Sequence, residues 1–250
     1  IHAAAADIGK HNVARANRRG EVHQSELLLW LNDPQEAARL LRKHLGFAEE
    51  GPIQNLVGAM ENKGVLIFRC GIENAHFSGM NGTVDGRPYL ILNANMTPER
   101  QRSTLVHELA HVFCVFPDDM PEKEREDFAT AISGAFLCPR EDMLRELGVR
   151  RTRITSDMIM VAKEYGVSTL LLMKRANLLG MISDAVYKDF MIRASQNGWR
   201  KNEPSRIPEE TTNLFEQLTI RAVNEDEISQ LRGAELLKLS YDEFDRMVHA

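Results

Sequence analysis

Five consecutive residues, His107-Glu108-Leu109-Ala110-His111, have the types and spacing that metal chemistry requires. Side chains four apart on an α-helix stand one turn above another on the same face. Two imidazoles placed that way can share one small ion in a tetrahedral set. Glu108, beside the first imidazole, can reach a water on that ion. A zinc-type ion brings the pKa of such a water down to about 7, and a carboxylate can take its proton and pass it to a leaving amine. With 8 histidines in 250 residues, chance would supply about 0.02 such patterns. Leu105, Val106, Leu109, Val112 and Phe113 flank the motif, so the helix is expected to be buried. Polar groups on a buried helix are costly without a purpose. The competing reading is an amphipathic helix with surface histidines.

A catalytic zinc keeps three protein ligands and one open position. Glu122, Glu124, Glu126 and Asp127 follow on the next expected helix. Geometry favours Glu126. His111 stands five residues, about 7.5 Å of rise, before an expected helix end near Phe116. Glu126 stands five residues after a helix start near Pro121. An antiparallel hairpin brings the two level. Ala129, Thr130, Ala131, Ser133, Gly134 and Ala135 are small and permit a close approach of the two helices. The competing reading of Glu126 is a solvated charge in an acidic run.

The elements that must position these residues are readable from patterning. Thr97-Pro98 supplies an N-cap with proline at the first helical position, opening a helix from Pro98 to about Phe116. Pro117 and Pro121 bracket an acidic turn, and a second helix runs from about Glu122 to Leu137, stopped by Pro139. Upstream, Val65–Phe68 and Pro88–Asn93 are expected strands, with a weak strand near His76 to Met80. Asn81-Gly82 and Asp85-Gly86 read as turns. Pro88–Asn93 could offer a strand edge to an extended substrate or simply pack in the sheet. His76 and Tyr89 are conceivable oxyanion donors, but a surface histidine and a strand tyrosine are the preferred readings.

A helical pattern begins at Ser25 with Leu27, Leu28, Leu31, Ala37, Ala38, Leu41 and Leu45, closing at Gly46. Another holds Leu56, Val57 and Met60 and ends at Gly64. After Pro139 the chain reads as short helices. Thr155–Tyr165 and Thr169–Leu179, joined by Gly166-Val167-Ser168, have a helix-turn-helix look. The second of them is mostly apolar, which favours a structural pair or a docking site over a DNA reader. Asn197–Pro208 reads as a linker or irregular loop, and Thr211–Val223 and Gly233–Val248 as further amphipathic segments.

A net charge of −5 argues against gripping nucleic acid by bulk charge, although Arg15, Arg18 and Arg19 form a local basic patch. Three cysteines without CxxC spacing are not a disulfide framework and fit a reducing compartment. No apolar run approaches the ~18 residues of a membrane span, so the cytoplasm is the expected location. The chain opens with Ile1, which suggests that something upstream is missing.

Arg100 to Phe113 (RQRSTLVHELAHVF) followed by Glu126 to Pro139 (EDFATAISGAFLCP) resembles the ImmA/IrrE family of metallopeptidases. Gly51-Pro52-Ile53-Gln54-Asn55-Leu56, Tyr165-Gly166-Val167-Ser168, Gly180-Met181-Ile182-Ser183 and Asn197-Gly198-Trp199-Arg200 extend the likeness over about residues 25–248. The resemblance implies a zinc endopeptidase that cuts a cognate helix-turn-helix repressor, often in a mobile element or a stress response. Longer members carry an upstream helix-turn-helix domain, which would be the route to any DNA contact. Cys138 departs from the family's more usual aliphatic residue or methionine; packing is preferred over metal binding for it.

The expected fold is α+β: a small mixed sheet packed on an HExxH zincin-like helical core, followed by a helical C-terminal region. The expected organisation is an arm or linker over 1–24, a zinc metallopeptidase domain over 25–140, a packed helix-turn-helix-like segment over 141–196 and a helical extension over 197–250. The expected activity is hydrolysis of a peptide bond in a partner protein. His107, His111 and Glu126 would bind one Zn²⁺, and Glu108 would act as general base. Another divalent metal is an option, since such a ligand set binds several. The alternative is a non-catalytic, antitoxin-like binding module with a structural or vestigial metal site. An intact Glu108 speaks against it, because a structural zinc needs no general base.

Overall fold

The computed structural model describes residues 29–30, 33–74, 76–84, 86–199 and 202–249. The expected arm over 1–24 lies outside them, as do Leu27, Leu28 and Leu31. In chain order the elements are β1 (Leu29–Trp30), α1 (Pro34–His44), α2 (Leu56–Glu61), β2 (Leu66–Cys70), β3 (Gly79–Val84), β4 (Arg87–Asn93), α3 (Pro98–Phe113), β5 (Cys114–Val115), α4 (Glu122–Leu137), α5 (Arg140–Leu147), α6 (Asp157–Glu164), α7 (Thr169–Leu178), α8 (Asp184–Gln196), α9 (Leu214–Asn224), α10 (Gln230–Leu237) and α11 (Tyr241–Val248). The class is α+β, with a small mixed sheet against a helical core.

β4 is the middle strand of three. β2 runs parallel on one side, Leu66 opposite Tyr89, and β3 antiparallel on the other, Asn81 opposite Leu90. Strand alternation sends Leu90 and Leu92, with Ile67, into the main core beside Leu105 and Leu109 of α3. Leu66, Tyr89 and Ile91 face the other way, where Leu214 and Leu218 of α9 cover them. Phe68 meets Phe215 edge-on at 5.1 Å between ring centres. A strand covered on both faces reads as one apolar run, as Tyr89-Leu90-Ile91-Leu92 does. The middle position also corrects one expectation: β4 has no free edge to offer. The free edge beside α3 belongs to β3.

β3 corrects a second expectation. Asn81 and Gly82 are not a turn but lie mid-strand, opposite Leu90 and Tyr89. Glycine is required there because the Tyr89 side chain lies over it; a Cβ would sit 2.4 Å from the phenolic oxygen. The chain reverses between the paired residues Val84 and Arg87, where Gly86 adopts φ +76°.

α3 begins as its sequence dictates. The Thr97 side chain accepts from the Arg100 amide and Pro98 occupies the first turn. It ends at Phe113, short of the expected Phe116, because Cys114 turns extended and β5 pairs in parallel with β1. The expected helical pattern is interrupted at Leu29–Trp30, which form β1, and helix begins at Pro34. Asp33 caps α1 by accepting from the Gln35 amide at 2.9 Å, with Pro34 next. α4 spans the expected residues and stops before Pro139. Phe113, Leu109 and Phe136 are fully buried between these helices, each stabilising by roughly 1.5–3 kcal/mol over exposure.

A buried guanidinium ties α1 to α4. Arg42 donates to the carbonyls of Ala48 (2.8 Å), Phe136 (3.0 Å) and Gly51 (2.6 Å). The fully buried Asp142 accepts from the Gly51 amide at 2.6 Å and pairs with Arg145. α6 and α7 form the expected helix pair, with Ser168 capping α7. Met158, Leu172, Met173 and Ala176 place that pair in the same core as α3 and α4.

The stretch read as a linker or irregular loop is irregular, and it packs as a strap. Glu203 accepts from the Thr169 amide at 2.8 Å, the Ser205 hydroxyl donates to the Val167 carbonyl at 2.9 Å, and the Ile207 amide donates to Glu99 at 2.6 Å. Glu210 pairs with the buried Arg102 and accepts from the Val57 amide at 2.7 Å. The last expected amphipathic segment comprises two helices: Lys238, with a left-handed φ of +57°, ends α10 before Ser240 caps α11.

Candidate metal centre

α3 and α4 run antiparallel in a fixed register. On α3 the residues facing α4 are Ser103, His107 and His111, four apart; on α4 they are Ser133, Thr130 and Glu126 in reverse order. The Ser133 hydroxyl donates to the Ser103 carbonyl at 2.8 Å and clamps the pair at one end. Ala129, Ala131 and Gly134 keep that face of α4 thin. At the other end Glu126 meets both histidines. Its Oε2 lies 3.1 Å from His107 Nε2, its Oε1 lies 3.1 Å from His111 Nε2, and the two Nε2 atoms are 3.2 Å apart.

That spacing fits a small ion. Ligand atoms about 2.0–2.1 Å from a tetrahedral centre stand about 3.3 Å from one another. Two imidazole nitrogens and a carboxylate oxygen are also the donor set that zinc and related divalent ions accept. Among the described residues, His107, His111 and Glu126 form the only group of such side chains brought within reach of one ion. Burial, and then the neighbouring His107, hold His111 below the usual imidazole pKa. The neutral ring, which is the form that ligates, is thereby favoured. Phe116 lies against His111 at 5.6 Å between ring centres, and Phe128 backs Phe116 at 6.1 Å.

Glu108 stands beside the group and faces β3. Its Oε2 accepts from Asn81 Nδ2 at 2.8 Å. The close approach of strand and helix depends on Gly79. A Cβ there would lie 2.6 Å from Thr104 Cγ2 and 2.9 Å from the Ile91 carbonyl oxygen, and would touch Glu108 Cγ at 3.5 Å. Asn93 shapes the loop that leads into β3, accepting from the Ile72 amide at 3.2 Å and donating to the Phe77 carbonyl at 2.9 Å.

Gly79, Thr104, His107, Glu108, Glu126 and Thr130 line a cleft of about 860 Å³. α7 forms its other wall with Leu170, Leu171, Lys174 and Leu178. Arg100, hydrogen-bonded to the Ser78 hydroxyl at 2.8 Å, and His76 stand on the β3 side. Tyr89 does not reach the cleft; it belongs to the opposite face of the sheet. Cys138 is fully buried, with its thiol pushed up to about 12 by that burial, and it stands apart from the ligand group. Asn81 is the residue the sequence reading missed. The Asn-Gly pair signals a turn, and only the pairing of β3 with β4 reveals a side chain aimed at Glu108.

His107, Glu108 and Glu126 line the cleft and His111 stands against His107 and Glu126, an arrangement of the metallopeptidase type. Residues 60–177 match the family model described as the IrrE N-terminal-like domain, Peptidase_M78. The matched segment holds β2 to β4, α3, α4 and most of α7, and so includes His107, Glu108, His111 and Glu126. No curated protein matches the chain. Among the described residues, no helix is long and apolar enough to cross a membrane.

Proposed function

We propose that the protein is a zinc-dependent endopeptidase that hydrolyses a peptide bond in a partner protein, with His107, His111 and Glu126 as ligands and Glu108 as general base. The observation that carries this reading is the meeting of those three side chains within reach of one ion, with His107, Glu126 and Glu108 lining an open cleft and Glu108 steadied by Asn81. Zinc bound there would act as a Lewis acid on the scissile carbonyl and lower the pKa of an attacking water to about 7.

The chain's own residues do the rest. Glu108 takes the water's proton and delivers it to the leaving nitrogen. Asn81 holds one carboxylate oxygen and leaves the other for the water. The free edge of β3 offers main-chain groups to an extended substrate segment. The leucines of α7 supply apolar surface for its side chains, and Arg100 and Lys174 supply positive charge. The resemblance to the ImmA/IrrE family supports a helix-turn-helix repressor as the substrate, which would place the protein in transcription regulation or a stress response in the cytoplasm.

The test is incubation with the repressor encoded beside the protein's gene. Cleavage is expected with the zinc-loaded protein. It should be lost after dialysis against a chelator and return when Zn²⁺ is added. Cleavage that persists in the metal-free protein would contradict the proposal.

A further inference from the structure

A neutral imidazole carries one N–H and one lone pair, on different nitrogens. For His107 to ligate an ion through Nε2, its proton must sit on Nδ1. The competing tautomer puts the proton on Nε2, where Glu126 Oε2 at 3.1 Å is ready to accept it. In that tautomer two of the three ligands are engaged with each other. Something must favour the proton on Nδ1.

Thr130 stands at that atom. Its Oγ1 lies 3.3 Å from His107 Nδ1. It is one helical turn from Glu126, on the face of α4 that the Ser133–Ser103 contact locks against α3. We propose that Thr130 is a positioning residue: its hydroxyl accepts the Nδ1 proton of His107, selecting the tautomer whose Nε2 lone pair points at the ion and fixing the plane of the ring. The proposal rests on the metal-centre reading above and adds the group that prepares one ligand. Partners of this kind behind a metal-binding histidine are typically worth 10–100-fold in metal affinity.

The test compares Thr130→Val, which keeps the side-chain shape and removes the hydroxyl, with Thr130→Ser, which keeps the hydroxyl. The probe is Zn²⁺ alone, titrated in competition with a chromophoric chelator, with the visible spectrum of the Co²⁺-loaded protein as a second readout. Thr130→Val is expected to bind zinc about tenfold or more weakly and to alter the Co²⁺ spectrum, while Thr130→Ser stays within about twofold of wild type. Melting of the metal-free proteins is expected to coincide, because Thr130 lies at an exposed position outside the core. Should the valine chain fail to fold, Thr130→Ala against Thr130→Ser makes the same comparison. Equal zinc affinity in the hydroxyl-free variant and wild type overturns the role of Thr130 while the metal centre stands. So does equal weakening in the valine and serine variants. Failure of the wild-type protein to bind zinc overturns both readings together.

Discussion

Replacing Glu108 with glutamine is expected to slow peptide hydrolysis by about 10²–10⁴-fold, the usual worth of a positioned general base, while zinc stays bound. The exchange is nearly isosteric. The glutamine carbonyl oxygen can still accept from Asn81 Nδ2, which lies 2.8 Å from the carboxylate in the native site. The amide group then faces the water position, and an amide has no basicity with which to take a proton. None of the three ligands is touched, so zinc content should equal that of wild type. Rates are to be compared on one protein substrate with both proteins zinc-loaded. Equal rates would remove Glu108 from the mechanism and favour a protein that binds its partner without cutting it.

The second large effect concerns stability. Arg42→Ala is expected to destabilise the fold by about 3–5 kcal/mol, the cost of breaking a buried charged network by deleting one member. Arg42 is 2% exposed. Its removal orphans the carbonyls of Ala48, Gly51 and Phe136 and takes away a positive charge that, with Arg145, acts on the buried Asp142. It also opens a void between α1 and α4. Typical domains are stable by only 5–15 kcal/mol, so much of the margin would be lost. Urea unfolding of the metal-free protein measures it. A midpoint equal to wild type would show that the network contributes nothing net. Because Phe136 lies in the last turn of α4, loosening there should reach the α3–α4 register that brings His107, His111 and Glu126 together.

The residues that reveal the chemistry in the sequence are those governed by local rules. The i, i+4 histidines, the Thr97-Pro98 start and the Pro139 stop all act within a few residues of the chain. Glu126 became legible because two helices joined by a short turn must fold back antiparallel, so counting outward from the turn finds the partner level. Asn81 was hidden because its significance lies across the sheet. The Tyr89 side chain over Gly82 turns a turn-like dipeptide into mid-strand residues. The strap from Glu203 to Glu210 was hidden for a similar reason. Its carboxylates and hydroxyls satisfy buried amides and carbonyls far away in sequence, and such contacts leave no period behind. Leu29–Trp30 joined a false helical pattern because a two-residue strand depends wholly on its partner at Cys114–Val115.

The most direct measurement is zinc per chain, determined by elemental analysis after exhaustive dialysis against metal-free buffer, in the wild type and in Glu126→Ala. The account predicts one zinc per wild-type chain and near-background zinc in the variant, since two imidazoles alone should not retain the ion through dialysis. Full zinc retention by Glu126→Ala, or no zinc in the wild type, would contradict it.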